Sequence, residues 1–190
     1  MNGLLDNQAE NPVRLNLSID DFPLATANPF LPSEMAQLQG YLGKMGIETF
    51  VPVQQEIHQW SDRRKLVETV LLPMMVFVHA DPKERMAALT LSTVSRYMVL
   101  RGEGKPAVIP DEQMARFRFM LDYSEEAICM SYSPLARGKK VRVIKGPLTG
   151  LVGELVALDG KNKIAVRLDM LGCACVDMPV GYVEQIDERN

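Results

Sequence analysis

Three groups of residues carry side chains able to recognise a partner. The first is the run 137–156, RGKKVRVIKGPLTGLVGELV. Lys139, Lys140, Arg142 and Lys145 lie along a β-branched stretch, and with Arg167 they would give either a basic face or simply a solubilising one. Gly146-Pro147 turns the chain. Gly150 and Gly153 then suit a loop whose backbone turns or lies close to something else, and Leu148, Leu151 and Val152 are carried in it. The second group is HQWSDRRK, 58–65. Arg63, Arg64 and Lys65, beside His58, could pair with phosphate, and Trp60 could stack on a base, although Asp62 dilutes the charge. The same residues would equally serve as a solvated hairpin tip. The third group is apolar: Phe22, Leu24, Tyr41, Leu72, Met74 and Met75. These are either core or an exposed groove of the kind that accepts helices. Met74 and Met75 are adjacent in a strand and point to opposite faces, so at most one should enter the core.

Catalytic chemistry is not indicated. His58 and His79 sit in no acid–base arrangement, and there is no phosphate-cradling or dinucleotide-binding glycine loop. No catalytic residue and no cofactor is expected. Cys173 and Cys175, one residue apart, share one face of a strand. Their spacing, with Cys129 distant and both histidines in the other half, does not suit a zinc site, so no metal is expected. Three cysteines fit a reducing compartment and no disulfide framework.

These residues have to be positioned by two kinds of local structure. Residues 1–13, rich in Asn, Asp and Gln, read as a disordered tail. A first strand is expected near Leu15–Leu24, weakened by Pro23. Ser33 reads as the N-cap of a helix to about Met45, closed by Gly46, with Met35, Leu38, Tyr41, Leu42 and Met45 at helical spacing. Ile47–Gln54 alternates as a strand with Pro52 at an edge or bend. Leu66–Ala80 gives the strongest strand signal, broken at Pro73. Pro82 opens a second helix, Arg96–Leu100 a short strand, and Pro110-Asp111 a third helix with Met114, Phe117, Met120 and Leu121 on one face. Residues 123–135 lack a helical pattern and read as a linker. Beyond it the chain turns all-β, with strands expected at 139–144, 153–158, 163–168, 173–178 and 182–186. The boundaries are a tail at 1–13, an α+β domain at 14–124, a linker at 125–135 and a β domain at 136–190.

With 190 residues, 47% hydrophobic and 24% charged, the chain suits one domain or two small ones. A net charge of −3 argues against coating nucleic acid by bulk charge but leaves room for a local basic patch. No apolar run approaches the roughly 18–20 residues of a membrane span, and MNGLLDNQAENPVR does not read as a signal peptide, so a cytoplasmic protein away from membranes is expected.

Read in order, GIETFVPVQQ (46–55), QWSDRRK (59–65), VLLPMMVFVHAD (70–81), VIPDEQMARFRFML (108–121) and the run 137–156 resemble NusG-type transcription elongation and antitermination factors, over nearly the whole chain. The resemblance implies an α+β N-terminal NGN-like sandwich, an antiparallel sheet with helices, followed by an all-β C-terminal SH3-like KOW barrel. It implies a monomer that binds the clamp helices of RNA polymerase through Phe22, Leu24, Tyr41, Leu72, Met74 and Met75 and suppresses pausing or termination. Trp60, Arg63, Arg64 and Lys65 would meet nascent RNA or non-template DNA. Gly146, Pro147, Leu148, Gly150, Leu151 and Gly153 would form the KOW loop that meets Rho or a small-subunit ribosomal protein. QWSDRRK and GYVEQI (181–186) most resemble the specialised UpxY paralogues, which act on capsular polysaccharide operons. The chain departs from the family in carrying Phe22-Pro23 where an aromatic pair is usual, and Leu72-Pro73-Met74-Met75 where Phe-Pro-Gly-Tyr is usual. The other reading of the sequence is a general RNA- or ribosome-binding module built on the KOW barrel. Val141, Val143 and Ile144 favour strands, so a constitutive barrel is expected in the C-terminal half.

Overall fold

Prolines set the boundaries of the short elements in the first half. The computed structural model describes residues 13–16, 32–59, 64–73, 75–94, 96–99, 104, 106–132, 135–169 and 171–186. Strand β1 (Val13–Asn16) precedes helix α1 (Pro32–Lys44), β2 (Glu48–Phe50), β3 (Val53–Gln59), β4 (Arg64–Val70) and β5 (Met75–His79). Helix α2 (Pro82–Ala88), β6 (Arg96–Tyr97) and α3 (Asp111–Tyr123) complete this half. The tail expected at 1–13 falls outside the described residues except for Val13, which opens β1. Helix α1 begins at Pro32, so Ser33 lies inside its first turn and is not the cap. Proline is well suited to that position, because its fixed φ matches the helix and its missing N–H would have no partner there. Gly46, at φ 81, turns the chain out of α1, and Ile47 N–H bonds Leu42 O at 3.0 Å.

The strand expected at 47–54 is two strands. Pro52 cannot donate to a ladder. It separates β2 from β3 instead, while its carbonyl accepts Leu71 N–H at 2.9 Å. Strands β2, β5, β1 and β6 form an antiparallel sheet in that order, and β3 with β4 forms a separate hairpin. β5 is buried on both faces, through Val76, Phe77 and Val78. On one face Val76 and Val78 join a cluster with Met35, Leu38 and Leu42 of α1. On the other, Phe77 meets Phe117 of α3 and Phe50 of β2, and the Phe50 and Phe117 rings stand edge to face at 6.2 Å. Helix α2 starts in a reciprocal cap: Glu84 N–H donates to Asp81 at 2.7 Å, and Asp81 N–H donates to Glu84 at 2.8 Å.

The second half contains β7 (Cys129–Ser131), β8 (Lys139–Val143), β9 (Val152–Leu158), β10 (Lys161–Leu168), β11 (Gly172–Asp177), a 3-10 turn (Val180–Tyr182) and β12 (Val183–Gln185). They form one six-stranded sheet in the order β12-β8-β9-β10-β11-β7, antiparallel throughout. Asp159 (φ 54) and Gly160 (φ 75) make the two-residue β9–β10 hairpin, the left-handed pair that matches strand twist.

Two expectations differ here. The segment read as a linker carries β7, which pairs with β11 through Cys129, Met130 and Ser131. Among the described residues the expected barrel is not closed by its ladder: β12 and β7 are the two edges of the sheet, and the edge of β11 away from β10 is already paired with β7.

The two halves touch. Ile128 N–H donates to Gln54 at 2.7 Å, and Asp169 N–H donates to Gln113 of α3 at 2.7 Å. One buried cluster runs from Leu72, Phe77 and Phe117 to Val141, Ile164 and Val176 of the C-terminal sheet.

Candidate functional site

Among the described residues, the apolar side chains proposed for helix docking, Tyr41, Leu72 and Met75, are not gathered on one open surface. Leu72 is 1% exposed and belongs to the cluster that continues into the C-terminal sheet. Its place after β4, where Leu71 N–H is tied to Pro52, points it inward, so the sequence reading of Leu72 as an exposed contact is corrected to core. Met75 is half-buried and packs against the same cluster. Tyr41 lies on α1, which covers the opposite face of the sheet. It is 51% exposed, with the Lys44 ammonium 5.7 Å from its ring centre. Met45 and Leu66 are exposed apolar residues that the sequence reading did not assign to docking. An i, i+4 relation between Tyr41 and Met45 was the available signal. Phe22, Leu24 and Met74 lie outside the described residues.

The β3–β4 hairpin pairs His58 with Lys65 and Gln59 with Arg64. Arg64 is exposed at its end. Trp60 and Arg63, expected at the tip, lie outside the described residues.

In the C-terminal half the glycine-bounded loop turns at Gly146 (φ 85) and Gly150 (φ 96). Its leucines point the other way from the expectation: Leu148 and Leu151 are 4% and 3% exposed and help fill the sheet's inner face. Apolar side chains that do face solvent at this end are Ile144, Val180 and Tyr182. Ile144 N–H donates to Tyr182 O at 2.8 Å, and a Cβ on Gly146 would stand 3.4 Å from the Tyr182 ring. The sequence signal for this patch was weak, because Tyr182 approaches the loop from more than thirty residues away. Lys145, Gly146, Pro147 and Tyr182 also border a cleft of about 790 Å³, which Ser124, Glu125 and Glu126 line as well. Gly153 is buried against β10, where an added Cβ would meet Ala165 O and Ile164 Cγ1, each at 2.8 Å.

The basic face is partly neutralised. Arg167 makes a two-pronged bond to Glu154, at 2.7 and 2.8 Å, and Gly138 N–H adds a third contact to that carboxylate at 2.9 Å. The Arg167 hydrogen bonds hold the Glu154 carboxyl below its ordinary value. Arg142 stands 3.7 Å from Glu184. Lys139, Lys140 and Lys145 are exposed. Arg137 and Arg116 of α3 join Lys139 and Lys140 around a second cleft of about 540 Å³. The contribution of Arg116 was not legible in sequence, since it comes from the other half of the chain. Among the described residues no group of three or more His, Cys, Asp and Glu is placed to hold a metal ion, and no helix is long and apolar enough to cross a membrane.

This chain of elements, α1 through α3 around a four-stranded sheet, coincides with a family match. Residues 30–118 match the family model described as transcription termination factor nusG. Residues 30–118 are a NusG-family domain. The NusG-family domain thus spans α1 to most of α3, including both helices that cover the central sheet. Among solved structures, one described as "Domain interaction in Thermotoga maritima NusG" is 18% identical, covering 93% of this chain and 97% of that one, at a TM-score of 0.42. Another, of the MjSpt4:Spt5 complex in conformation B, is 14% identical, covering 95% of this chain and 98% of that one, at a TM-score of 0.25. No curated protein matches the sequence. The assignment rests on the family match alone.

Proposed function

We propose that this protein is a transcription elongation and antitermination factor, which binds the clamp helices of RNA polymerase through its NusG-family domain and suppresses pausing or termination. The observation that carries the reading is the family match over residues 30–118. Exposed Tyr41 on α1 would supply apolar docking chemistry, together with Phe22, Leu24 and Met74. For Leu72 and Met75 to meet a partner, the cluster they share with the C-terminal sheet must open. The mechanism is a population shift rather than catalysis. A ligand that prefers the closed clamp depletes the paused polymerase in proportion to its differential affinity.

The hairpin carrying Trp60, Arg63, Arg64 and Lys65 would meet nascent RNA or non-template DNA. The C-terminal sheet would act as the KOW module. Its loop end (Gly146, Pro147 and Gly150) would receive a further factor such as Rho or a small-subunit ribosomal protein, with Leu148, Leu151 and Gly153 supporting that loop from inside. Action on capsular polysaccharide operons would follow the UpxY resemblance of QWSDRRK and GYVEQI. In a reconstituted transcription assay on a template with a strong pause, the full chain should shorten pause lifetime. An unchanged lifetime at saturating protein would refute the reading.

A second reading, an RNA-binding module, draws on the cleft lined by Arg116, Arg137, Lys139 and Lys140, in which Arg116 is paired with Glu112 and Glu154 and Asp169 also stand. It predicts RNA binding that weakens steeply with salt and no effect on polymerase.

A further inference from the structure

The three cysteines of the chain meet on one face of one sheet. Cys129 of β7 and Cys175 of β11 are direct cross-strand partners, and Cys173 lies two residues along β11 on the same face. Direct partners in antiparallel strands have Cα atoms about 4.5–5.5 Å apart. That lies within the roughly 4.4–6.8 Å that a disulfide bridges. The Cys129 sulfur already leans across the strand gap, 3.5 Å from the Cys175 carbonyl oxygen. Cys129 is exposed and Cys175 fully buried. The Lys163 ammonium, bonded to Asp177, stands near the Cys175 thiol.

We propose that Cys129 and Cys175 form a peroxide-responsive pair whose oxidation closes a cross-strand disulfide and fastens β7 to the C-terminal sheet. The exposed Cys129 thiolate attacks a peroxide oxygen. The O–O bond breaks, leaving Cys129 as a sulfenic acid and releasing hydroxide, which takes up the thiol's proton as water. The Cys175 sulfur then attacks the sulfenic sulfur, the S–O bond breaks, and a second water leaves with the Cys175 proton. In sum, two thiols and one hydrogen peroxide give one disulfide and two waters, with two electrons passing from sulfur to peroxide oxygen.

The roles follow from position. Burial pushes the Cys175 thiol up to about 12, which keeps it protonated and leaves the first attack to exposed Cys129; in the second step the Cys175 proton leaves with the departing oxygen as water. Cys173 is buried as well, and its diagonal relation to Cys129 implies a Cα separation of about 7–8 Å. That exceeds what a disulfide bridges without backbone movement.

The bond would act on the connection between the two halves. β7 has three residues and follows directly on Ile128, whose N–H is held by Gln54 of the NusG-family domain. In the reduced protein a three-residue ladder ties this segment to β11. In the oxidised protein the tie is covalent, and β7 can no longer peel away with the N-terminal half.

The test uses the full chain, reduced, freed of reductant and exposed to hydrogen peroxide, followed by peptide mapping by mass spectrometry under non-reducing conditions. A Cys129–Cys175 cross-linked peptide is expected in the native protein and in C173S, and none in C129S. Amide exchange across 129–131 should slow several-fold in the oxidised native protein but not in peroxide-treated C129S. The proposal is overturned by a Cys173–Cys175 or Cys129–Cys173 bond, by Cys129 stopping at sulfinic acid, or by bonds only between molecules. It is likewise overturned if all three thiols stay intact under peroxide that oxidises free cysteine.

Discussion

The Oε1 atom of Gln54 accepts the backbone N–H of Ile128 at 2.7 Å, joining the start of β3 to the residue before β7 across 74 positions of sequence. Both residues are buried, and Gln54 is 8% exposed. A buried N–H deprived of its partner costs about 1–3 kcal/mol. Gln54→Ala should therefore lower the unfolding free energy by about that amount and raise amide exchange at Ile128. Urea denaturation and exchange mass spectrometry read the two effects.

The Glu154–Arg167 pair predicts an acid response of definite sign. Hydrogen bonds from Arg167 depress the Glu154 carboxyl, with a further contribution from Gly138 N–H. A depressed carboxyl contributes stability that is fully present above its unfolded value and lost as pH falls through its folded one. The native protein should lose stability as pH drops below the ordinary carboxylate range. Glu154→Gln should flatten part of that loss while being less stable at neutral pH. Melting temperature followed from pH 7 to acid in both proteins checks this.

Gly153 is a packing position. A Cβ there would stand 2.8 Å from the Ala165 carbonyl oxygen and from Ile164 Cγ1, closer than real contacts allow. Overpacking of this kind costs about 1–3 kcal/mol. Gly153→Ala should destabilise the C-terminal sheet within that range. Gly150→Ala meets no neighbouring atom, but its φ of 96 makes it strained for a different reason.

What the sequence made legible was local. Pro82 marked the start of α2, Gly46 the end of α1, and Asp159-Gly160 sits between two strands already expected at 153–158 and 163–168. What it hid was non-local. Leu72 has the same composition-level signal whether it lines a groove or fills a core, and only the approach of the C-terminal sheet to the Leu72–Phe77–Phe117 cluster decides between them. β7 is three residues long, too short to show a period of two, and it is a strand only because β11 offers it an edge. Leu148 and Leu151 were assigned to a partner-meeting loop by the resemblance, yet in a loop with positive φ at Gly146 and Gly150 both leucines are buried. For the same reason Leu72→Asp would report on folding rather than on docking, and Tyr41, exposed on α1, is the cleaner probe.

The most direct test is a binding titration of the full chain against core RNA polymerase, with Tyr41→Asp alongside and circular dichroism to establish that both are folded. The account predicts saturable binding by the native protein, weakened about tenfold or more, at least about 1.4 kcal/mol, when a charge replaces the exposed ring. A folded native chain that does not bind the polymerase would contradict it.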